Sequence, residues 1–324
     1  MFVTLALLLS LGAMGAYLYS VRGMGVARAA PVAGAAGRWQ QLRAMPSHRS
    51  ELAVAALNGE VFVVGGATDF LQTSARVEAY RPAHDAWVRY PDLPAPRHHP
   101  VAVAVGGKLY VLGGFHGVSF TVQQDVFEFD PATRRWQALP RMPTPRGAAS
   151  AVAYQGRIWV VGGVGPHGVT DAFEVFDPAT RSWSRRSAPQ ARRQHGAMVE
   201  IDGRFYLAGG RVSGFASNSD LLEIYDPATD RWRYGAPMPM PRGGIAGAVL
   251  GGRFVIVGGE GQDGTFSQVD AYDPATDSWQ RLAPMPTPRH GIGAAAIGKA
   301  MYVPGGGRRA GYSISDRNEV LILE

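Results

Sequence analysis

The chain has 324 residues, 46% of them hydrophobic, which is ample for a large core and by length alone suggests two domains. It contains no cysteine, which excludes thiol nucleophiles, disulfides, zinc thiolates and iron–sulfur clusters together. The formal charge of +6 comes almost wholly from arginine, with Lys108 and Lys299 the only lysines, and no block of basic residues forms a phosphate-tracking patch, so no nucleic-acid partner is expected.

Residues 2–21 form an apolar stretch long enough to cross a bilayer as a helix, and Ala27-Arg28-Ala29 follows as an A-x-A-like cleavage site. Residues 1–29 are therefore expected to be a signal peptide or N-terminal membrane anchor, with 30–37 as a linker. That predicts export to the periplasm or medium, cleaved or tethered. Arg22 and Arg28 lie on the C-terminal side of the stretch, so an uncleaved helix would instead leave the rest of the chain facing the cytoplasm.

From residue 38 onward the chain repeats. Trp39, Trp87, Trp136, Trp183, Trp232 and Trp279 are spaced by 48, 49, 47, 49 and 47 residues, and Gly-Gly pairs beginning at 65, 113, 162, 209, 258 and 305 follow the same series. A period near 48 that fills the chain replaces the two-domain expectation with an array. The fifth repeat, residues 241–286, shows the pattern. Its first strand is expected over 242–250, rich in Gly and Ala, and Gly251-Gly252 makes a tight hairpin. A second strand follows over 253–257 and a third over 268–272. After an Asp-Pro-Ala-Thr-Asp turn, Trp279 opens the fourth. Four antiparallel strands cannot bury both faces alone, so the repeats must stack.

The paired Gly after the second strand, the aromatic before Asp-Pro, the Trp six residues after that Asp and the trailing Met-Pro-x-Pro-Arg resemble the kelch repeat, in its bacterial exported type. The resemblance covers residues 38–324 and implies an all-β, six-bladed β-propeller of four-stranded antiparallel blades. The last Gly-Gly is followed by only one further strand, so six whole blades require residues 38–46 to supply the fourth strand of the final blade and close the ring.

The distance from each Trp to the next Gly-Gly is 26 residues in all six repeats, whereas the second Gly to the following Trp varies between 20 and 22. Length variation thus sits in the loops between second and third strands, which marks that face as the binding face. Arg49, Arg97, Arg146, Arg193, Arg242 and Arg289 recur at the start of every first strand, matched by acids at Glu78, Asp125, Glu174, Glu223, Asp270 and Glu319 on the third strands. Six cations with six anions are expected to be a structural ring, with an anion-binding funnel as the alternative.

Specificity should lie where repeats differ. Just past Gly-Gly stand Ala67, Phe115, Val164, Arg211, Glu260 and Gly307; two past the repeated Arg stand Glu51, His99, Ala148, His195, Gly244 and Gly291. In kelch proteins that bind acidic peptides these two positions line the pocket. By that resemblance Arg211, Glu260, Phe115, Glu51, His99 and His195 are the candidate ligand-binding residues, with Arg308 adding local charge. His48, His98, His99, His116, His167, His195 and His290 all map to the variable face, but they are spread over five blades at no zinc-motif spacing, and no metal or cofactor is expected. The G-x-G-x-x-G match at 163–168 joins two strands with no following helix and is set aside. The copper oxidases among kelch proteins need a Tyr crosslinked to Cys, which zero Cys excludes.

The leading expectation is a non-enzymatic, monomeric binding module presenting its variable loops to a protein, peptide or carbohydrate ligand. A second reading, by resemblance to exported kelch sugar mutarotases, is an epimerase-like isomerase of an acidic sugar, in which Glu260 or His195 acts as general acid/base and Arg211 holds the substrate carboxylate. A third is a structural component of an envelope assembly.

Overall fold

The computed structural model describes residues 26–27 and 36–323. Most of the apolar segment and linker expected over 1–37 therefore lies outside the described residues. Among the described residues no helix is long and apolar enough to cross a membrane.

Among the described residues six four-stranded antiparallel sheets follow one another along the chain, the first five with their strands in sequence order from the axis outward. In blade 5 these are Ala246–Leu250, Arg253–Val257, Val269–Asp273 and Ser278–Arg281. The sixth sheet takes three strands from the C-terminal end and its outermost, Arg38–Gln41, from the N-terminal side, with Trp39 opposite Leu321. The ring is thus closed by an N-terminal strand, shorter than the stretch 38–46 expected to supply it.

The first strands are also shorter than the sequence suggests. In blade 5 the ladder begins at Ala246, because Gly244 turns the chain at φ +67° and Gly243 makes only an isolated bridge to Glu260. The small residues around 244 build this turn and do not extend the strand. The set-aside 163–168 segment is a short hairpin, Val164–Gly165 against Gly168–Val169.

Apolar side chains from adjacent blades interlock. Phe62 and Val64 of blade 1 pack in one cluster with Leu109, Val111 and Phe129 of blade 2. All six repeat tryptophans donate their indole N–H to a carbonyl just beyond the fourth strand of the preceding blade, as Trp136 does to Pro91 and Trp279 to Ala236, at 2.7–3.0 Å. That bond explains why the position holds Trp and not another aromatic: it fills the interblade gap and satisfies a carbonyl there.

The six repeated arginines are buried, none more than 3% exposed. Each guanidinium pairs with the third-strand acid of its own blade: Arg49 with Glu78 at 2.7 Å, Arg146 with Glu174 at 3.1 Å, Arg242 with Asp270 at 2.5 Å, Arg289 with Glu319 at 2.8 Å, and likewise Arg97 with Asp125 and Arg193 with Glu223. Burial pulls Arg49 and Arg146 down to about 10, against the opposing pull of their carboxylates, so both stay charged at neutral pH. Other donors reach backbone carbonyls, as Arg49 does to Gly65 at 2.6 Å and Arg76 at 3.0 Å, while the Nε of Arg97, Arg146 and Arg242 has no hydrogen-bond partner. The carbonyl of each of these arginines accepts the N–H of the second Gly of the preceding blade, from Gly306 to Arg49 (2.8 Å) and Gly66 to Arg97 (2.7 Å) around to Gly259 to Arg289 (2.9 Å). The first Gly of each pair has φ between +59° and +66°, and a Cβ there would collide with that same carbonyl. Hence Gly-Gly and Arg recur together.

Removing one partner of a buried pair leaves an uncompensated charge, so Arg289→Ala is expected to lower the unfolding free energy by about 3–5 kcal/mol. Urea denaturation measures this, and a loss below about 1 kcal/mol, the range of an exposed pair, would show that the pair does not hold the blade.

Candidate functional site

Two residues past each of these arginines, Glu51, His99, Ala148, His195, Gly244 and Gly291 all have left-handed backbone, φ +51° to +67°. Their main chains form a closed ring of hydrogen bonds about the axis. The N–H of Glu51 donates to Gly291, His99 to Glu51, Ala148 to His99, His195 to Ala148, Gly244 to His195 and Gly291 to Gly244, at 2.7–3.1 Å. The first strands continue from this ring as the walls of a narrow axial channel of ≈ 130 Å³, lined by small residues such as Ala53, Ala102, Ala151 and Gly247. A left-handed conformation costs a residue with a Cβ about 1–2 kcal/mol. Blades 5 and 6 avoid that with Gly; blades 1, 2 and 4 hold Glu, His and His there, and strained residues of this kind cluster at functional sites.

Those three side chains converge. His99 Nε2 lies 2.9 Å and His195 Nε2 3.9 Å from Glu51 Oε2, while Glu51 Oε1 faces His290 Nδ1 at 3.4 Å. Burial pushes the Glu51 carboxyl up, but the neighbouring His99, with His290 and His195 close by, holds it well below the usual carboxylate range. Burial, with the positive charges of Arg211 and His99, keeps His195 well below the ordinary histidine value. His290 is fully buried, and there the carboxylates of Glu260 and Glu51 outweigh burial and raise it.

A second unit adjoins. Arg211 donates to Glu260 Oε1 at 2.9 Å, and Glu260 Oε2 accepts the Gly311 N–H at 2.8 Å and lies 3.3 Å from His290 Nδ1. The Arg211 guanidinium covers the Phe215 ring at 5.1 Å. The sequence marks Arg211 and Glu260 as ligand-binding groups. In the structure they pair with each other, Glu260 being 1% exposed, because equivalent positions of neighbouring blades lie side by side. Only Nη2 of Arg211 is used in that pair, and its Nη1 is buried without a hydrogen-bond partner.

Phe115 is buried as a wall, its ring 5.6 Å from His98, 5.4 Å from His99 and 5.4 Å from Phe120. Arg308 is exposed and outside the cluster, its carbonyl accepting the Thr265 hydroxyl at 3.1 Å. The six arginines expected as a ring lie in the blade cores described above, away from any open mouth. Two residues absent from the candidate set belong to the site, His98 and His290. Both stand one position past the repeated Arg, beside the left-handed residue, and that place in the repeat was the available signal.

Gly291 has φ +55°, and a Cβ on it would run into the Glu51 carboxylate. Gly291→Ala is therefore expected to cost about 1–2 kcal/mol from the backbone alone, read by urea denaturation. An unchanged midpoint would mean that the ring is not a fixed element.

The architecture and the axial site define a β-propeller with a largely buried polar cluster on the side of its variable loops. Residues 35–163 and 185–323 match the KLHDC2/KLHL20/DRC7 Kelch-repeats domain, and residues 145–189 match the Kelch motif. The chain belongs to the kelch-repeat family. It is 38% identical over 77 residues to Beta-scruin of Limulus polyphemus, covering 24% of this chain and 8% of that protein. To the human Kelch repeat and BTB domain-containing protein 12 it is 31% identical over 107 residues, covering 29% and 17% respectively. The matched segments thus span only a small part of these relatives. The solved structure of YjhT superimposes with a TM-score of 0.74 at 19% identity, covering 87% of this chain and 97% of that one, which shows the shared fold.

Proposed function

We propose that this propeller binds a protein or peptide partner through the loops joining second and third strands. Kelch propellers are typically protein-interaction modules, and one observation supports that role here. Phe70, Val118, Phe120 and Val212 are 85%, 52%, 41% and 50% exposed, and all four lie in those loops, in blades 1, 2 and 4. Phe70 and Phe120 also have left-handed backbone, φ 55° and 53°. Exposed apolar side chains gathered on one rim, two of them on strained backbone, are the anchors expected of an interface. The buried Arg211–Glu260 unit and the histidine cluster behind them supply a polar floor.

Selection of peptides from a displayed library against the purified protein tests this. Binders are expected to lose at least about tenfold in affinity to a Phe70→Asp/Phe120→Asp variant whose unfolding midpoint is unchanged. Binders indifferent to the pair, or binding confined to glycans, would overturn the reading.

We also infer export, on the apolar stretch 2–21 and the small residues at 27 and 29. Cell fractionation with intact mass measurement is expected to find the chain outside the cytoplasm or on the membrane. A full-mass chain in the cytoplasmic fraction would overturn it. Cleavage after Ala29 would remove the short parallel pairing of Val26–Ala27 with Thr265–Phe266.

A further inference from the structure

The hydrogen bonds behind the axial histidines fix which ring nitrogen of each faces Glu51. His98 Nε2 lies 3.1 Å from the Gly117 carbonyl, which can only accept, so that nitrogen carries the proton. The other nitrogen of a neutral His98 is then an acceptor, and it lies 2.6 Å from His99 Nδ1, which must donate. His195 Nδ1 is 2.8 Å from Gln194 Oε1, again an acceptor in the assigned network, so His195 also carries its proton on Nδ1. Both rings are thereby turned with Nε2 toward the same carboxylate oxygen, Glu51 Oε2, at 2.9 and 3.9 Å, and in its neutral form each presents a lone pair there.

Two lone pairs and a carboxylate oxygen converging in a largely buried site repel one another unless a positive centre lies among them. A proton on His99 Nε2 would relieve one contact and leave His195 unanswered. A metal ion answers all three at once. The remaining surroundings suit one. The three ligand atoms lie within 4.8 Å of one another. Bonds of about 2.1 Å in tetrahedral geometry place ligand atoms about 3.4 Å apart, between the two separations measured to Glu51. Each histidine has its other nitrogen held by a partner, as metal-ligating histidines almost always do. His290, fully buried and with neither ring nitrogen in a well-formed hydrogen bond, faces the other oxygen of Glu51. All three ligands stand on the hydrogen-bonded ring, which fixes their backbone positions.

We propose that Glu51 Oε2, His99 Nε2 and His195 Nε2 form a mononuclear site for a divalent first-row transition-metal ion. Two imidazoles and one carboxylate suit zinc or iron(II), and they leave coordination positions open toward the variable face. Three ligands from blades 1, 2 and 4 have no zinc-motif spacing in sequence because the ring, not a local turn, assembles them.

The test is titration of the chelator-treated full-length chain with Co²⁺. The expected result is a visible d–d band saturating at one ion per chain and bleached by Zn²⁺. Glu51→Gln and His195→Gln should abolish the band. His98→Phe, which removes only the partner of His99, should weaken binding by roughly 10–100-fold. Imidazole ¹⁵N spectra of the wild-type chain, with and without Zn²⁺, give a reading independent of whether the variants fold, and the Nε2 resonances of His99 and His195 should move together. Absence of the band, a band that survives Glu51→Gln, or Nε2 resonances unmoved by Zn²⁺ would overturn the proposal.

Discussion

The buried arginine–carboxylate pair, repeated in every blade, is the interaction on which the rest of the structure rests. Its side chain ties the entrance of the first strand to the third strand of the same blade, while its carbonyl takes the N–H of the preceding blade's second Gly. One residue therefore joins the inside of a blade to its neighbour. Lysine could not substitute: the contacts to a carboxylate and to backbone carbonyls use the several fixed donors of a guanidinium. The paired glycines are the other half of the same joint, since any Cβ on the first would occupy the place of the carbonyl that the second must reach.

With that joint repeated six times and the indoles bridging the outer strands, the axial turn has little freedom. Residues two past each Arg are pinned in a left-handed conformation by hydrogen bonds on both sides, and so Glu51, His99 and His195 meet at defined distances. The backbone positions of such a site are set by main chain and buried ion pairs, while loop groups such as the Gly117 carbonyl orient individual rings. The loops above add to it locally, as Phe120 does by packing on His98 and His99.

Much of the scaffold was legible in the sequence because a repeat compares each residue with five counterparts. The constant spacing from Trp to Gly-Gly separates rigid from variable loops, and the one-to-one count of Arg and acid anticipates their pairing. What was not legible followed from rotation about the axis. Glu51, His99, His195 and His290 are 48 to 239 residues apart, and local spacing rules say nothing about groups that a closed ring brings to its centre. For the same reason Arg211 and Glu260, one repeat apart, read as two separate ligand groups although they neutralise each other. The left-handed turn had a signal in Gly244 and Gly291, but the small residues around them fit a first strand equally well until the ladder was seen to start at Ala246.

The axial ring of hydrogen bonds uses only N–H and C=O groups. Its six side chains therefore take no part in that ring of hydrogen bonds, and a residue with a Cβ there carries the cost of a left-handed backbone. Here the six are one Glu, two His, one Ala and two Gly, a mixture that no common structural duty would select. The fold thus separates shape from chemistry: the side chains at these six positions set the polar character of the axis, while the arginine joints elsewhere in each repeat hold the shape.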